Sequence, residues 1–250
     1  MPLSLTEHDI PISDLDPAHE GLIVVHVTDL HVGLITPEKR IRHAIALANR
    51  AAADLVVLTG DYVCYGKRFV ALMGEVMRGL EARAGVVATL GNHDYWTDGE
   101  GVAKELRRNG YDVLRNDHVT LRPRGAPLTV VGIDDAITGH HDPARAFSGT
   151  SRTGTVLTLS HCPELADAAA DRGAHLVVAG HTHGGHLHVR GLTDRVYRRL
   201  TKRRYLSGWY DVGERTALYV NRGVGSSSVP VRAGEGAKSE VAVFRLCRAA

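Results

Sequence analysis

Five short segments of this chain each end an apolar run with Asp, His or Asn. In order they are VVHVTDLHVG (24–33), LVVLTGDYV (55–63), VVATLGNHDYW (86–96), VLTLSHCPE (156–164) and LVVAGHTHGGH (176–186). Each apolar run fits a buried strand, so the polar residues lie where that strand ends. Ligands of open α/β sheets gather at the carboxyl ends of strands. We therefore expect these polar side chains to lie together.

The alternation of apolar runs with helical patterns predicts an α/β fold. Helices are expected at 37–48, 68–83 and 101–109, an order typical of parallel strands joined by crossover helices. The second half of the chain contains a predicted hairpin over 119–131 and further short strands up to residue 246, antiparallel in part. Because these strands outnumber what one sheet holds, we predict two packed mixed sheets with helices outside, in a single domain over residues 1–250.

Composition narrows the class of protein. The formal charge of +2 is too small to indicate nucleic-acid binding, so no nucleic-acid partner is expected. Three cysteines, Cys64, Cys162 and Cys247, form no disulfide framework, and we interpret the first two as small buried residues. Residues 1–17 lack the basic start and apolar core of a signal peptide, and no apolar stretch reaches the roughly 18 residues of a membrane span. These features predict a soluble, cytoplasmic protein.

The polar residues of the five segments are typical metal ligands. Asp29 and His31 are two residues apart, as are His181 and His183, so the members of each pair reach one ion from an extended segment. The remaining candidates are Asp61, whose carboxylate is able to bridge two ions, Asn92 and His161. This set predicts two divalent metal ions. The oxygen ligands favour Mn, while the imidazoles leave Zn, Fe and Ni open.

Two adjacent metal ions indicate hydrolysis of a phosphate ester. Ions about 3.5–4 Å apart share a water and lower its pKa, so that a bridging hydroxide attacks the phosphorus in line. We expect His93, next to Asn92, to be a catalytic residue that protonates or hydrogen-bonds the leaving oxygen. Asp94 is expected to hold the His93 ring in one tautomer.

These motifs resemble those of the calcineurin-like metallophosphoesterases, whose pattern is DxH, GDxx, GNHD, a lone His and GHxH. The matching residues are Asp29-Leu30-His31, Gly60-Asp61, Gly91-Asn92-His93-Asp94, His161 and Gly180-His181-Thr182-His183. The resemblance implies a four-layer αββα sandwich. It also implies that one ion is held by Asp29, His31, Asp61 and His183, and the other by Asp61, Asn92, His161 and His181.

Residues 7–33, 205–210 and 218–232 are similar to the YkuE-like branch of bacterial phosphoesterases, and this similarity favours a phosphodiester substrate over a monoester or a pyrophosphate. The chain departs from that branch in two ways. His186 occupies a position that is usually Gln, and residues 1–17 show no membrane anchor or export signal. The predicted substrate is a phosphorylated small molecule, a nucleotide conjugate or a lipid.

Substrate contacts are less constrained by the sequence. His186, Arg222 and Arg232 are candidates, the arginines because guanidinium groups fit phosphate well. Residues 195–204 hold six basic side chains in ten, and these form either a solvated loop or a rim that attracts an anionic substrate or a membrane surface. Two other functions stay open: a catalytically inactive metal-binding scaffold of the same fold, and a mononuclear zinc hydrolase.

Overall fold

The apolar runs form the central strands of two six-stranded sheets. The computed structural model describes residues 3–151, 154–185, 188–189, 193, 196, 199–200, 203–227 and 232–249. The strands are β1 (Ser4–Ile12), β2 (Ile23–Val27), β3 (Leu55–Thr59), β4 (Val86–Thr89), β5 (Asp112–Val113), β6 (Asp117–Leu121), β7 (Leu128–Ile133), β8 (Thr155–Ser160), β9 (Leu176–Ala179), β10 (Gly208–Val212), β11 (Thr216–Val220) and β12 (Glu240–Arg248). The helices are α1 (Glu38–Arg50), α2 (Arg68–Met77), α3 (Asn92–Arg108), α4 (Pro143–Ala146) and α5 (Ala166–Ala170).

Both sheets are mixed. The first has the order β1-β12-β2-β3-β4-β5, in which only the pairing of β12 with β2 is antiparallel. The second has the order β10-β11-β9-β8-β7-β6, with antiparallel pairs at its two ends. The central strands of both sheets are therefore parallel, and their carboxyl ends lie along one edge of each sheet.

Alternation along the strands divides the core into three apolar layers. In β3, Val56 and Leu58 pack against the cluster that α1, α2 and α3 share, whereas Leu55 and Val57 pack between the two sheets. The outer face of the second sheet packs on α4 and α5 through a third cluster. Successive strand residues point to opposite faces, so a strand buried on both faces is apolar throughout. The predicted α/β fold with a four-layer αββα arrangement is confirmed.

Several predicted boundaries are corrected. Helix α3 begins at Asn92 rather than near residue 101, because the chain enters the helix directly after β4, and a break at Asp98 (φ −172°, ψ 80°) separates its two parts. Helix α2 ends at Met77 rather than at residue 83, and Gly79 (φ 86°) takes the left-handed conformation that commonly follows a helix end. His188 and Val189 fall in the region where further short strands are expected, but they do not lie in a strand.

Among the described residues, no helix combines the length and the apolar character that a membrane crossing requires.

His26 in β2 provides a test of the buried layer between the sheets. Its side chain is fully buried, its Nε2 lies 2.8 Å from Thr59 Oγ1, and burial lowers its pKa to about 3. Above pH 6.5, the unperturbed value, the ring is neutral in both the folded and the unfolded chain. As the pH falls from 6.5 towards 3, only the unfolded chain takes up this proton, so the free energy of unfolding decreases by about 1.4 kcal/mol per pH unit from this group.

We therefore expect His26→Gln to reduce the pH dependence of the free energy of unfolding by up to about 1.4 kcal/mol per pH unit. The free energy is measured by urea denaturation between about pH 6 and pH 4. The control is His43→Gln, since His43 is exposed on α1. Equal pH dependence in the wild type and the His26 variant would contradict the assignment.

Candidate metal centre

Every predicted ligand follows one of five parallel strands at the same edge of the molecule. Asp29 and His31 follow β2, Asp61 follows β3 and Asn92 follows β4, so the first sheet supplies four of these side chains. His161 follows β8, and His181 and His183 follow β9, so the second sheet supplies three. The sheets face each other, and the seven side chains meet where both sheets end.

The backbone at these strand ends is unusual. Asp29, His31, Asp61, His181 and His183 have φ angles of 54°, 48°, 55°, 73° and 53°, in the left-handed region that residues with a Cβ seldom adopt. Such conformations persist only where the surrounding structure enforces them, and they concentrate at functional sites. Here the strained turns reverse the chain directly after each strand and aim the side chains inward.

Backbone contacts hold the turns against each other. The Asp29 N–H donates to the Gly60 carbonyl at 3.0 Å, and the His31 N–H donates to the Asp61 carbonyl at 2.9 Å. Gly180 allows β9 to approach this pair of turns, because a Cβ at Gly180 would overlap the Asp29 carboxylate. The loops after β2, β3 and β9 are therefore one interlocked unit.

Three side chains form the first donor group. His31 Nε2 lies 3.1 Å from His183 Nε2 and 3.6 Å from Asp29 Oδ1, and His183 Nε2 lies 3.4 Å from the same oxygen. All three residues are at least nine-tenths buried. Donor atoms of this group lie within 4.8 Å of one another.

Asp61, His161 and His181 form the second donor group. His161 Nε2 lies 3.2 Å from Asp61 Oδ2 and 3.2 Å from His181 Nδ1. The Nδ1 of His161 lies 2.7 Å from the carbonyl of Thr59. Since only a protonated Nδ1 donates to a carbonyl, the neutral form of this ring has its lone pair on Nε2, directed at the group.

Asp61 connects the two donor groups. The same Oδ2 atom that lies 3.2 Å from His161 lies 3.7 Å from His31 Nε2 of the first group. Its Oδ1 accepts a hydrogen bond from the His93 N–H at 2.9 Å. One carboxylate oxygen is thus shared between the two groups, as a bridging ligand requires.

The arrangement fits metal ions on two further observations. Asn92 Oδ1 is buried and has no hydrogen-bond partner among the described residues, and an unpartnered buried amide oxygen is costly unless a ligand satisfies it. Ligands about 2.0–2.1 Å from a tetrahedral ion lie about 3.3 Å apart, near the 3.1–3.7 Å separations within the groups. The four imidazoles and the carboxylate and amide oxygens suit divalent ions.

The electrostatics of the cluster are dominated by its two buried carboxylates. Although burial opposes ionisation, the nearby imidazoles of His183 and His31 hold the pKa of Asp29 well below its usual range, and His161 does the same for Asp61. Burial likewise disfavours a charged imidazole at His161, but the Asp61 carboxylate raises its pKa to about 10. The carboxylates therefore require nearby positive charge.

The predicted contact between Asp94 and His93 is corrected by the structure. Both Asp94 oxygens accept backbone N–H donors instead, at 2.8–3.2 Å: those of Asp61, Tyr62, Val63 and Gly91. Asp94 thus fixes the turn that carries Asp61. The Nδ1 of His93 faces Cys64 Sγ at 3.5 Å. Burial raises the pKa of the Cys64 thiol to about 12 and lowers that of His93, so the thiol stays protonated, and Nε2 is the ring nitrogen that the thiol does not engage.

The predicted substrate contacts at the two arginines are not supported. Arg222 pairs with Glu240 through Nε at 2.9 Å and through Nη2. Arg232 is buried and donates to the carbonyls of residues 222, 223 and 225, and its Nη2 lies 2.5 Å from His183 Nδ1. Both guanidinium groups support the chain's own loops. His186 lies outside the described residues.

Only part of the basic segment 195–204 is described. Arg203 Nε lies 3.5 Å from Glu164 Oε1, and Arg204 Nη1 lies 3.0 Å from Asp167 Oδ1. Arg195, Arg198 and Lys202 lie outside the described residues. The two ion pairs support the interpretation of this part of the segment as a surface loop bound to its own protein.

Sequence reasoning missed or underrated three residues near His93. Cys64, interpreted as a plain buried residue, contacts the candidate acid. Tyr65 and Trp96, which are 54% and 63% exposed, both contact the His93 ring, with ring centroids 5.9 and 4.9 Å away. The sequence signal for these two residues was their position: Tyr65 is four residues after Asp61, and Trp96 is four residues after Asn92. Large exposed aromatic side chains beside a site are informative because they are candidates for ligand contacts.

The family model for calcineurin-like phosphoesterases matches residues 22–185, and the chain belongs to this family. The match begins just before β2 and ends after His183, so it includes all seven side chains of the cluster.

Similar proteins occur in bacteria and animals. The chain is 30% identical over 248 residues to an uncharacterized metallophosphoesterase of Bacillus subtilis (strain 168), YkuE, covering 98% of this chain and 85% of the relative. It is 30% identical over 207 residues to the phosphodiesterase YaeI of Escherichia coli (strain K12), covering 81% and 75%. It is 29% identical over 244 residues to a transmembrane protein with metallophosphoesterase domain of Danio rerio; this covers 92% of the chain but only 55% of that relative.

Solved structures share the fold. TT1561 of Thermus thermophilus superimposes with a TM-score of 0.55 at 12% identity, covering 81% of this chain and 90% of that one. The NAD nucleotidase of Haemophilus influenzae superimposes with a TM-score of 0.52 at 14% identity, covering 83% of this chain and 49% of that one.

Replacing the shared carboxylate tests the centre. We expect Asp61→Asn to reduce the metal content from two ions per chain to less than one, measured by elemental analysis after gel filtration, because both donor groups lose their common charge. Asp171→Asn is the matched control, since Asp171 is exposed and belongs to neither donor group. Retention of two ions by the Asp61 variant would contradict the bridging role.

Proposed function

We propose that this chain is a dinuclear metal-dependent phosphoesterase that prefers phosphodiesters. The observation that carries the proposal is the shared Asp61 Oδ2 between two donor groups, next to the unpartnered Asn92 Oδ1. In this proposal Asp29, His31, Asp61 and His183 hold one divalent ion, and Asp61, Asn92, His161 and His181 hold the other. Mn suits the oxygen ligands, and Zn, Fe or Ni are the alternatives.

When bound, the two ions lower the pKa of water and neutralise negative charge on the phosphoryl oxygens. The chain's own residues orient the reaction. The Asp94 carboxylate accepts four backbone N–H hydrogen bonds and so holds the turn that carries Asp61. Asp61 Oδ1 in turn accepts a hydrogen bond from the His93 N–H, which fixes the start of α3. His93 is thereby placed at the border of the metal-binding cluster.

His93 is proposed to serve the leaving oxygen. Its Nδ1 is engaged by Cys64, so Nε2 is the ring nitrogen available to donate a hydrogen bond or a proton. Tyr65 and Trp96 flank this ring with exposed aromatic faces. A leaving group with an apolar or planar surface is therefore favoured, as in a nucleotide conjugate, an aryl ester or a lipid.

The preference for a diester rests on similarity to relatives. One relative, YaeI, is named a phosphodiesterase and is 30% identical to this chain. Monoester and pyrophosphate substrates are the variants to compare. We do not extend the proposal to a membrane surface, because the described Arg203 and Arg204 are paired with acidic residues of the same protein.

We also propose that residues 1–250 act as one catalytic domain. The first strand, β1, pairs in parallel with the last strand, β12, over nine residues, and β12 pairs with β2, which leads to Asp29. The two ends of the chain are thus part of the sheet that carries four of the proposed ligands.

Hydrolysis of bis-p-nitrophenyl phosphate tests the activity. We expect turnover that disappears when the metal is stripped, returns with Mn, and is faster than turnover of p-nitrophenyl phosphate. An Asn92→Ala, His93→Ala double variant is expected to abolish it. Bound metal without hydrolysis of either compound, under any metal, would instead favour a binding scaffold. One ion per chain in the active protein would favour a mononuclear hydrolase.

The role of His93 is tested with a series of aryl phosphodiesters whose leaving phenols range from p-nitrophenol to phenol. We expect His93→Ala to lower kcat by about 10²–10⁴-fold for the most basic leaving group and by less for p-nitrophenol, which leaves without help. The exposed His43→Ala serves as the control. An equal loss for all leaving groups would show that His93 acts through the structure of the site and not on the leaving oxygen.

A further inference from the structure

A third group of metal-binding atoms lies beside the proposed dinuclear centre. Donor atoms of His31, Cys64 and His93 all lie within 4.8 Å of one another. They come from the loops after β2 and β3 and from the first turn of α3. Cys64 and His93 are not among the seven proposed ligands, whereas His31 is one of them, so His31 bridges two ions through its two ring nitrogens when both sites are filled.

The thiol and the imidazole have the separation that a common ion requires. Cys64 Sγ lies 3.5 Å from His93 Nδ1. A tetrahedral zinc ion with Zn–S of about 2.3 Å and Zn–N of about 2.0–2.1 Å places sulfur and nitrogen about 3.6 Å apart. The pair therefore accepts such an ion with little movement.

His31 supplies the second observation. Its Nε2 faces the first donor group, whereas its Nδ1 is buried and has no hydrogen-bond partner among the described residues. Only 1% of the surface of His31 is exposed. A buried ring nitrogen without a partner is costly, and a cation satisfies it when the nitrogen has lost its proton.

The chemistry of this group differs from that of the dinuclear centre. The seven proposed ligands contain oxygen and imidazole donors only, whereas the third group contains a sulfur. Thiolate ligands select soft and borderline ions such as Cd²⁺ and Zn²⁺ over Mn²⁺. The partly exposed ring of His93 gives such an ion access from solvent.

We propose that Cys64, His93 and His31 form a third site for a soft divalent cation, and that filling this site inhibits the enzyme. Binding forms bonds from the cation to Cys64 Sγ and to a ring nitrogen of His93 and of His31. The thiol proton and, when His31 also holds the first ion, the His31 ring proton both go to solvent, without any change of oxidation state. The cation then fixes the His93 ring through Nδ1, so the ring can no longer turn to bring its Nε2 proton to the leaving oxygen. The inhibitory part rests on the proposed function, while the binding part does not.

A cadmium titration of the manganese-loaded protein tests the site. The background is Cys247→Ser, in which Cys64 and Cys162 are the remaining thiols. A bond between thiolate and Cd²⁺ gives an ultraviolet charge-transfer band, and Cd²⁺ at the proposed dinuclear ligands does not, since none is a thiol. We expect the band to saturate with one sulfur-bound Cd²⁺ per chain. Inhibition of bis-p-nitrophenyl phosphate hydrolysis is expected over the same range of added Cd²⁺.

Two variants assign the band. Cys64→Ser keeps a hydroxyl in place of the thiol and is expected to abolish the band and to weaken inhibition by Cd²⁺ at least tenfold. Cys162→Ser is the matched control, because Cys162 is also buried and also adjoins a proposed ligand, but its Sγ lies 3.4 Å from Asp135 Oδ1 and belongs to none of the three donor groups. His93→Ala keeps the thiol and is expected to weaken Cd²⁺ binding at least tenfold.

The outcomes separate the two proposals. No band in the parent protein, or a band that persists in Cys64→Ser, overturns the third site. A band that depends on Cys64, in a protein without phosphoesterase activity, supports the site and contradicts the proposed function. Equal inhibition of the parent and Cys64→Ser by Cd²⁺ overturns the inhibitory role, because the inhibition then arises at the dinuclear centre.

Discussion

Two carboxylates, Asp29 and Asp61, are buried where the two sheets end, and the rest of the site depends on compensating their charge. Burying an ionised carboxylate is costly unless positive charge or hydrogen-bond donors lie close to it. Four imidazoles surround the pair. The guanidinium group of Arg232 contacts Nδ1 of His183, on the side of that ring away from the carboxylates. Divalent cations at the two donor groups would supply this charge directly, and they would also satisfy the amide oxygen of Asn92, which lacks a partner among the described residues.

The fold tolerates this concentration of polar groups because each lies just beyond a strand. The strands themselves are apolar on both faces and form the layers on either side of each sheet. The chain then turns sharply, and five of the seven proposed ligands adopt left-handed backbone conformations that cost free energy. Asp94 offsets part of this cost by accepting four backbone N–H hydrogen bonds. Backbone hydrogen bonds also join the loops after β2 and β3, and Gly180 lets β9 approach Asp29. The same contacts leave His93 at the border, between the cluster and the exposed rings of Tyr65 and Trp96.

The sequence was sufficient for the features that depend on local pattern. Apolar runs followed by polar motifs identified the strands β2, β3, β4, β8 and β9 and the side chains that meet at their ends. Features that depend on distant contacts were not predictable from one sequence. The sequence pairs Asp94 with its neighbour His93, but the carboxylate bonds to residues 61–63, which lie 31 to 33 positions earlier. Cys64 looks like a small core residue until the fold places it against His93, and Arg222 and Arg232 look like phosphate ligands until Glu240 and the loop carbonyls prove to engage them.

In the proposed centre, one oxygen of Asp61 joins two metal sites. Anomalous diffraction from crystals of the manganese-loaded protein, collected at the Mn absorption edge, tests it most directly. We expect two anomalous peaks about 3.5–4 Å apart, one next to Asp29, His31 and His183 and one next to Asn92, His161 and His181, with Asp61 between them. A single peak, or two peaks with Asp61 bound to only one of them, would contradict it.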